Sequence, residues 1–232
     1  PAMKEHFPEI EDFFRITVNP FAVSNEERDI HFNEERFGYA DSSLFRFFAF
    51  RLKHGNQLTA LVKPYSLVLT PSPAVRYFGN ENPVGKTLRV ANTLDFTVTG
   101  VLEEDPNHTH LDFDFLGSFS TLYSVPVETA QKLGLVISLR LERKGFSAYY
   151  TYFLISPGAD PARIESALPA FVEKHAGEGK SKTYRPNLQP MQRIHLTPGA
   201  RFELTSGSSY ATVYSFLTIA LVILFIACVN YT

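Results

Sequence analysis

Residues 210–231 read YATVYSFLTIALVILFIACVNY, and no charged side chain follows Glu203. A helix needs about 20 mostly apolar residues to cross the hydrocarbon core of a bilayer, and this stretch would reach about 33 Å as a helix. Tyrosines lie at both of its ends, as in the aromatic belts of membrane proteins. The alternative is a buried helix of a soluble core, but such helices rarely lack every charge over this length. The stretch predicts a transmembrane helix within residues 208–232, preceded by an extramembrane domain over residues 1–207.

The composition sets the class of the extramembrane domain. The chain has 232 residues and a net charge of −2 without a basic block, which argues against nucleic acid as a partner. Its only cysteine, Cys228, lies in the apolar stretch, so the domain has no disulfide and no thiol metal site. The residues near Pro1 lack the positively charged and apolar regions of a signal peptide. We therefore expect an earlier membrane helix to export the domain, as part of a larger membrane protein.

The segment before the apolar stretch predicts a crossover unit. Residues 148–155 read AYYTYFLI and indicate a strand buried on both faces. A helix begins at Asp160-Pro161 and keeps apolar residues on one face, with an expected kink at Pro169. Residues 183–190 then predict a second strand. Strand, helix and strand over residues 148–190 form a βαβ unit.

The rest of the chain mixes short strands with few helices, which indicates the α+β class. Residues 124–145 give no clear pattern. The remaining predicted strands lie at residues 12–18, 29–40, 66–70, 86–90, 94–102 and 111–119, and the predicted helices lie at residues 42–50 and 71–78.

Gly85-Lys86-Thr87 resembles the end of a phosphate-binding loop. That loop needs a glycine, four residues, and then Gly-Lys-Ser/Thr at the start of a helix. Here Gly79 lies one residue too far back, Pro83 has no amide to donate, and the following residues predict a strand. We interpret the segment as a turn that leads into a strand.

Alternating polar residues invite a metal-site interpretation. One face of a strand would carry His108, His110, Asp112 and Asp114. The alternative is a polar strand edge whose neighbouring phenylalanines face the core, and we favour it because simple alternation produces such a row.

No other pattern points to catalysis. The sequence contains no GxSxG, HExxH, CxxC or glycine-rich dinucleotide motif, and the Glu-Glu-Arg runs at residues 26–28 and 34–36 are interpreted as solvated charge. The sequence therefore predicts no enzyme, with no catalytic, cofactor-binding or metal-binding residue.

Short motifs occur in order along the first half of the chain. They are YAD (39–41), FAF (48–50), SLVLT (66–70), YFG (77–79), NPVGKTL (82–88), FTVTGV (96–101), DPNH (105–108) and FDFL (113–116). Together they resemble the MacB-like periplasmic core domain of FtsX-like ABC transporter permeases. Residues 216–232 are similar to the second membrane helix of these permeases. Residues 71–73 (PSP) and 124–145 depart from the family pattern.

The resemblance implies a two-lobed fold without catalytic activity. One lobe contains βαβ units, which residues 148–190 fit, and the other is an inserted mainly-β lobe over roughly residues 30–120. Residues 1–207 would lie in the periplasm, anchored in the bacterial inner membrane. ATP would be bound by a separate ABC ATPase subunit or domain, with no cofactor in this chain. The other implied partners are a second permease copy or half, a periplasmic adaptor and the lipid bilayer.

The implied mechanism couples ATP-driven movement of membrane helices to export or release of a substrate on the periplasmic side. Two alternatives stay open. One is the extracytoplasmic ligand-sensing domain of a membrane receptor, and the other is a membrane-anchored hydrolase, for which no catalytic constellation is present. The sequence does not identify the transported substrate.

Overall fold

The computed structural model describes residues 1–106, 109–133, 149–196 and 210–231. The strands are β1 (Ile10–Asn25), β2 (Ile30–Ala40), β3 (Leu52–Gly55), β4 (Ser66–Leu69), β5 (Thr87–Val90), β6 (Leu94–Leu102), β7 (Phe115–Ser118) and β8 (Tyr150–Ile155). The helices are α1 (Ala2–His6), α2 (Leu44–Phe47), α3 (Pro71–Phe78), α4 (Thr121–Ser124), α5 (Val127–Lys132), α6 (Pro161–Ala176) and α7 (Tyr210–Asn230). Short 3-10 turns occupy Glu26–Arg28, Lys180–Lys182 and Met191–Leu196. The predicted α+β class is confirmed.

The chain divides into two compact units. The first comprises residues 1–107 and 113–187 and contains the whole sheet, and the second comprises residues 108–112 and 188–232 and contains α7. The predicted inserted lobe over roughly residues 30–120 stays a prediction, as do the boundaries at residues 207 and 208.

Six strands of the first unit pair into a closed ring. β1 pairs with β2, β2 with β7, β7 with β4, β4 with β6, β6 with β5, and β5 returns to β1. The β2–β7 and β4–β6 pairs are parallel and the other four are antiparallel. Closure leaves no edge strand within the ring, which removes the unpaired backbone groups that would invite aggregation.

β1 belongs to two pairings along its length. Its first part, Ile10–Ile16, pairs with β8, and its second part, Ile16–Asn25, pairs with β2. The register with β2 shifts between Asn19 and Phe21, where Pro20 has no amide to donate. β1 therefore continues beyond Pro20 with a local irregularity instead of ending there.

Alternating residues of the ring strands form its core. Inward-facing side chains are fully or almost fully buried, among them Val23, Phe37, Tyr39, Leu67, Leu69, Leu88, Phe96, Val98 and Phe115. Gly117 faces the aromatic rings, and a Cβ there would lie 3.1 Å from both Phe96 and Tyr39. The period-2 alternation of these strands explains why one face is apolar.

Helix α3 follows the sequence signals for helix ends. Pro71 occupies the first turn, where its missing amide has no partner to lose, and Gly79 ends the helix with φ of 67°. The helix connects β4 to the β5–β6 hairpin, and β4 and β6 lie parallel. A strand–helix–strand crossover is therefore present here, between residues 66 and 102.

The predicted βαβ unit over residues 148–190 is only partly right. The strand at Tyr150–Ile155 and the helix at Pro161–Ala176 are confirmed, and the helix continues through Pro169. The predicted strand at residues 183–190 is wrong, because these residues are irregular. Two prolines, Pro186 and Pro190, lack the amides that a strand ladder needs. Position 148 lies outside the described residues.

Other predicted elements differ in extent or burial. β8 is half-buried rather than buried on both faces, since it stands last in the sheet order and Leu154 is 38% exposed. The strand predicted at residues 111–119 begins only at Phe115, and the helix predicted at residues 42–50 is a single turn. Most of the unreadable stretch at residues 124–145 lies outside the described residues.

The predicted C-terminal helix is confirmed as one continuous α-helix, Tyr210–Asn230. It contains no acidic or basic residue, and its described apolar side chains are exposed. Residues 213–230 are long and apolar enough to cross a membrane.

Candidate functional site

Two amides of the Gly85-Lys86-Thr87 segment already donate to backbone carbonyls. The amide of Gly85 donates to the carbonyl of Val98 at 2.8 Å, and the amide of Lys86 donates to the carbonyl of Pro83 at 2.9 Å. The Lys86 ammonium contacts the carboxylate of Glu81. Hydrogen bonds from Lys86 and from a second partner, Arg28, lower the pKa of Glu81. This geometry agrees with a turn that leads into β5.

Among the alternating histidines and aspartates, Asp114 has a clear structural role. The Asp114 carboxylate is buried and accepts from the Arg36 guanidinium at 2.7 and 3.1 Å. His108 lies outside the described residues. Across the described part of the chain, no group of three or more His, Cys, Asp or Glu side chains could hold a metal ion.

A buried carboxylate joins α3 to the ring. Glu34 on β2 is only 4% exposed and accepts from the guanidinium of Arg76 at 2.7 and 2.9 Å. The hydroxyl of Tyr77 donates to the same carboxylate at 2.8 Å. Burial, followed by the hydrogen bond to Glu34, raises the pKa of Tyr77. Arg76 and Tyr77 of α3 therefore both bind the carboxylate of Glu34 on the ring.

The interpretation of residues 34–36 as solvated charge is wrong for Glu34, which is buried. Arg36 is half-exposed but its guanidinium binds Asp114. Nothing in the Glu-Glu-Arg run itself distinguishes a buried glutamate from an exposed one. The complementary Arg76-Tyr77 pair lies in the family-like YFG region of the sequence, and only the fold brings it to Glu34.

A second network centres on Arg15 of β1. Its guanidinium binds both carboxylate oxygens of Asp41 at 2.9 and 3.0 Å, lies 3.9 Å above the ring of Phe119 and donates to the hydroxyl of Tyr123. Burial alone lowers the pKa of Arg15, but the hydrogen bond and charge of Asp41 outweigh it, so the pKa is raised. The network joins β1 to the end of β2 and to α4.

A third buried carboxylate, Asp12, joins two short helices to β1. It contacts the ammonium of Lys4 on α1 and the guanidinium of Arg46 on α2. With Glu34, Asp41 and Asp114, it makes a set of carboxylates that each bind a basic side chain across different elements. Bidentate and charge-assisted hydrogen bonds fix geometry strongly. These contacts hold surrounding elements on the ring.

Solved structures that share this fold include the following three. A domain of a protein described as a permease, from Porphyromonas gingivalis, superposes with a TM-score of 0.61 at 21% identity and covers 82% of this chain and 80% of that chain. The periplasmic region of MacB from Actinobacillus actinomycetemcomitans gives 0.53 at 19% identity, covering 85% and 83%. The extracellular domain of the ABC-type transporter YknZ from Gram-positive bacteria gives 0.51 at 12% identity, covering 76% and 83%.

These identities are low, so the structures establish the fold alone. No curated protein matches the chain in sequence. The MacB-like periplasmic core domain family, however, matches residues 2–171, which is most of the extramembrane part. The motifs at residues 39–118 lie inside that match. With the ring, its ion pairs and the apolar helix in place, the matched residues show that the chain belongs to the MacB-like periplasmic core domain family.

Proposed function

We propose that this domain transmits ATP-driven movement of membrane helices to a substrate on the periplasmic side of an FtsX-like ABC transporter permease. The observation that carries the proposal is the order of the chain. A MacB-like periplasmic core domain over residues 2–171 is followed by an uncharged helix, α7, long enough to span a bilayer. A domain that leads into a membrane helix is placed to follow its movement.

The packing of the first unit supports this proposal. A closed ring of strands with a dense aromatic core has one arrangement, and packed cores move as bodies rather than deform continuously. The buried carboxylates described above fix α1, α2 and α3 on that ring. Movement that reaches any of these elements would therefore pass to the whole unit.

The partners follow from the same proposal. ATP is bound by a separate ATPase subunit or domain, since the amides of Gly85 and Lys86 already donate to backbone carbonyls. A second permease copy or half completes the membrane part, and a periplasmic adaptor is a further partner. The chain lies in the bacterial inner membrane through α7, with residues 1–207 in the periplasm, and it is not itself an enzyme.

The test separates the domain from its helix. A flexible Gly/Ser linker of about ten residues inserted after Gly207 lets the two parts move independently. In the complete permease with its ATPase, a spin label at Leu58→Cys in a Cys228→Ser background reports the distance between this domain and the same domain of a second permease copy. We expect an ATP-dependent change in that distance without the linker, and none with it, while ATP hydrolysis persists.

A matched control places the same linker after Gly158, in an exposed turn of the first unit with open space around it. This insertion should leave the ATP-dependent change in place. If the linker after Gly207 leaves the distance change intact, movement does not pass through this connection and the proposal fails. A distance change that responds to a periplasmic ligand and not to ATP would instead favour a ligand-sensing domain.

A further inference from the structure

A fixed turn follows helix α6. The carboxylate of Glu173 accepts hydrogen bonds from the amides of Gly179 and Ser181 and from the hydroxyl of Ser181. The hydrogen bonds of Ser181 are the largest causes that lower the pKa of Glu173, and the charge of Lys182 is the smallest. Gly179 has φ of 76°, a conformation that favours glycine. The 3-10 turn Lys180–Lys182 is thus held in one conformation although it lies on the surface.

This turn displays a concentration of positive charge. Residues 173–185 contain the basic side chains Lys174, Lys180, Lys182 and Arg185 and the acidic side chains Glu173 and Glu178, in a chain of net charge −2. All four basic residues are exposed. Long flexible side chains of this kind lose little freedom while they remain in water, and they are free to meet an anionic surface.

The other basic residues of the domain behave differently. Arginines of the ring and its helices bind carboxylates, as at Arg15, Arg36, Arg46 and Arg76. None of the four basic side chains of residues 174–185 is within ion-pair distance of a carboxylate in the described part of the chain. The charge of Lys182 acts on Glu173, but ion pairs within the domain do not account for the group as a whole.

An aromatic side chain lies among these charges. Tyr184 directly precedes Arg185 and is 41% exposed. Tyrosine has an apolar ring and a polar hydroxyl, and it prefers the headgroup region of a bilayer. A basic group with an exposed tyrosine matches the chemistry of a membrane surface better than that of a soluble anion, which offers nothing to the ring.

The position of the turn in the chain favours the same ligand. In the described part of the chain, the next α-helix after α6 is α7, the apolar helix that we place in the bilayer. Attraction between basic side chains and anionic lipids falls off within a Debye length, about 8–10 Å at physiological salt. Tethering through residues 186–209 to a membrane helix raises the local concentration of this group at such a surface.

We propose that the basic turn, residues 180–185, binds the phosphate groups of anionic phospholipids at the outer face of the membrane, with Tyr184 at the headgroup level. This contact rests on the proposed placement of α7 in the bilayer. It gives the domain a second attachment to the membrane besides the helix, and its strength depends on lipid charge and on ionic strength.

The test uses the absence of tryptophan from the chain. Tyr184→Trp in the chain of residues 1–232 creates a single fluorescent reporter in the turn. The protein is reconstituted in nanodiscs of phosphatidylcholine with or without phosphatidylglycerol, including lipids brominated near the headgroup. We expect emission at shorter wavelength and about twofold stronger quenching with phosphatidylglycerol, both reversed by high salt. Unchanged emission in the two lipid mixtures would overturn the proposal.

Matched variants identify the source of any lipid dependence. In the Tyr184→Trp background, the triple change Lys180→Gln, Lys182→Gln and Arg185→Gln should abolish it. A control triple change at Arg51, Lys53 and Lys63, all to Gln, removes the same charge from exposed positions elsewhere and should preserve it. Equal loss in both triple variants would mean that total charge, not this turn, controls binding, and the proposal would be wrong.

Two further controls separate this contact from general adsorption to lipid and from binding of a soluble anion. Leu58→Trp, at a position 83% exposed, should report no dependence on phosphatidylglycerol. Inorganic phosphate and chloride at equal ionic strength should reverse the contact equally, whereas selective reversal by phosphate would indicate a soluble anion ligand and overturn the proposal. Protection of Cys228 from aqueous thiol reagents checks α7 separately, so failure of the membrane helix is distinguishable from failure of the turn.

Discussion

The hydroxyl of Tyr39 lies in the aromatic core of the ring and has no hydrogen-bond partner among the residues that the structure describes. Burial raises the pKa of this side chain, because the phenolate would lose its hydration there. We predict that Tyr39→Phe increases the free energy of unfolding by about 1 kcal/mol, since it removes an unsatisfied polar atom and keeps the ring. Chemical denaturation of the full-length chain in nanodiscs would measure it.

A matched tyrosine gives the opposite expectation. The hydroxyl of Tyr77 donates to the buried carboxylate of Glu34, so Tyr77→Phe should lower the free energy of unfolding by about 1–3 kcal/mol. If Tyr39→Phe is destabilising by a similar amount, the hydroxyl of Tyr39 has a partner such as a buried water, and the prediction is wrong.

Substitutions at two glycines distinguish the effect of backbone strain from that of steric conflict. Gly55 has φ of 96°, and a Cβ there would lie 2.3 Å from the carbonyl oxygen of Thr99. Gly158 has φ of 83° with nothing within 4 Å. We predict that Gly158→Ala lowers the free energy of unfolding by about 1–2 kcal/mol through backbone conformation alone. Gly55→Ala should lower it by clearly more, and equal losses in thermal unfolding would contradict this expectation.

Helix α6 contains a proline at an interior position. Pro169 is exposed and lacks the amide that would continue the helical hydrogen bonds. We predict that Pro169→Ala raises the free energy of unfolding by about 1–3 kcal/mol, because it restores an amide and loses no buried contact. Pro161→Ala, in the first turn where proline fits, is the control and should change stability little. An unchanged or lower stability of Pro169→Ala would show that the proline has another role.

The elements that the sequence predicted best are those with a strong local pattern. Leu94–Leu102 alternates along its length, and α3 and α6 carry proline and glycine at their ends. β1 was predicted only over residues 12–18, because Pro20 is a usual strand breaker and only its pairing with β2 shows how the proline is accommodated. The predicted strand at residues 183–190 fails because Pro186 and Pro190 lack the amides that a ladder needs.

Contacts between distant elements could not be predicted in the same way. The burial of Glu34 depends on α3, and the role of Arg15 depends on Asp41 and Phe119, which lie far away in sequence. Ring closure depends on the pairing of β1 with β5. A single sequence does not reveal such pairings. The resemblance of its motifs indicated the correct family, but it did not locate any of these contacts.

At the scale of the whole protein, the first requirement of the proposed function is the orientation of α7. We predict that Tyr210 lies at the periplasmic surface and Tyr231 at the cytoplasmic surface, because the uncharged helix between them matches the thickness of a bilayer. In a Cys228→Ser background, Tyr210→Cys should react with an impermeant thiol reagent from the periplasm, Tyr231→Cys from the cytoplasm, and Ile219→Cys only after detergent is added.

Equal labelling of all three positions from one side would show that α7 does not cross the membrane. Reversed labelling of the two ends would place the domain on the other side, which is incompatible with a periplasmic domain.

The continuous strand β1 determines how the domain responds to tension. Over its 16 residues it extends about 53 Å, and it pairs with β8 along one part and with β2 along the other. Antiparallel hydrogen bonds run perpendicular to the strands, so a pull along β1 places many of them in shear at the same time. A pull across the sheet would break them one after another at much lower force. The axis of β1 is therefore the stiff direction of the domain. Force applied along that axis will reach the ring with little stretching of the domain.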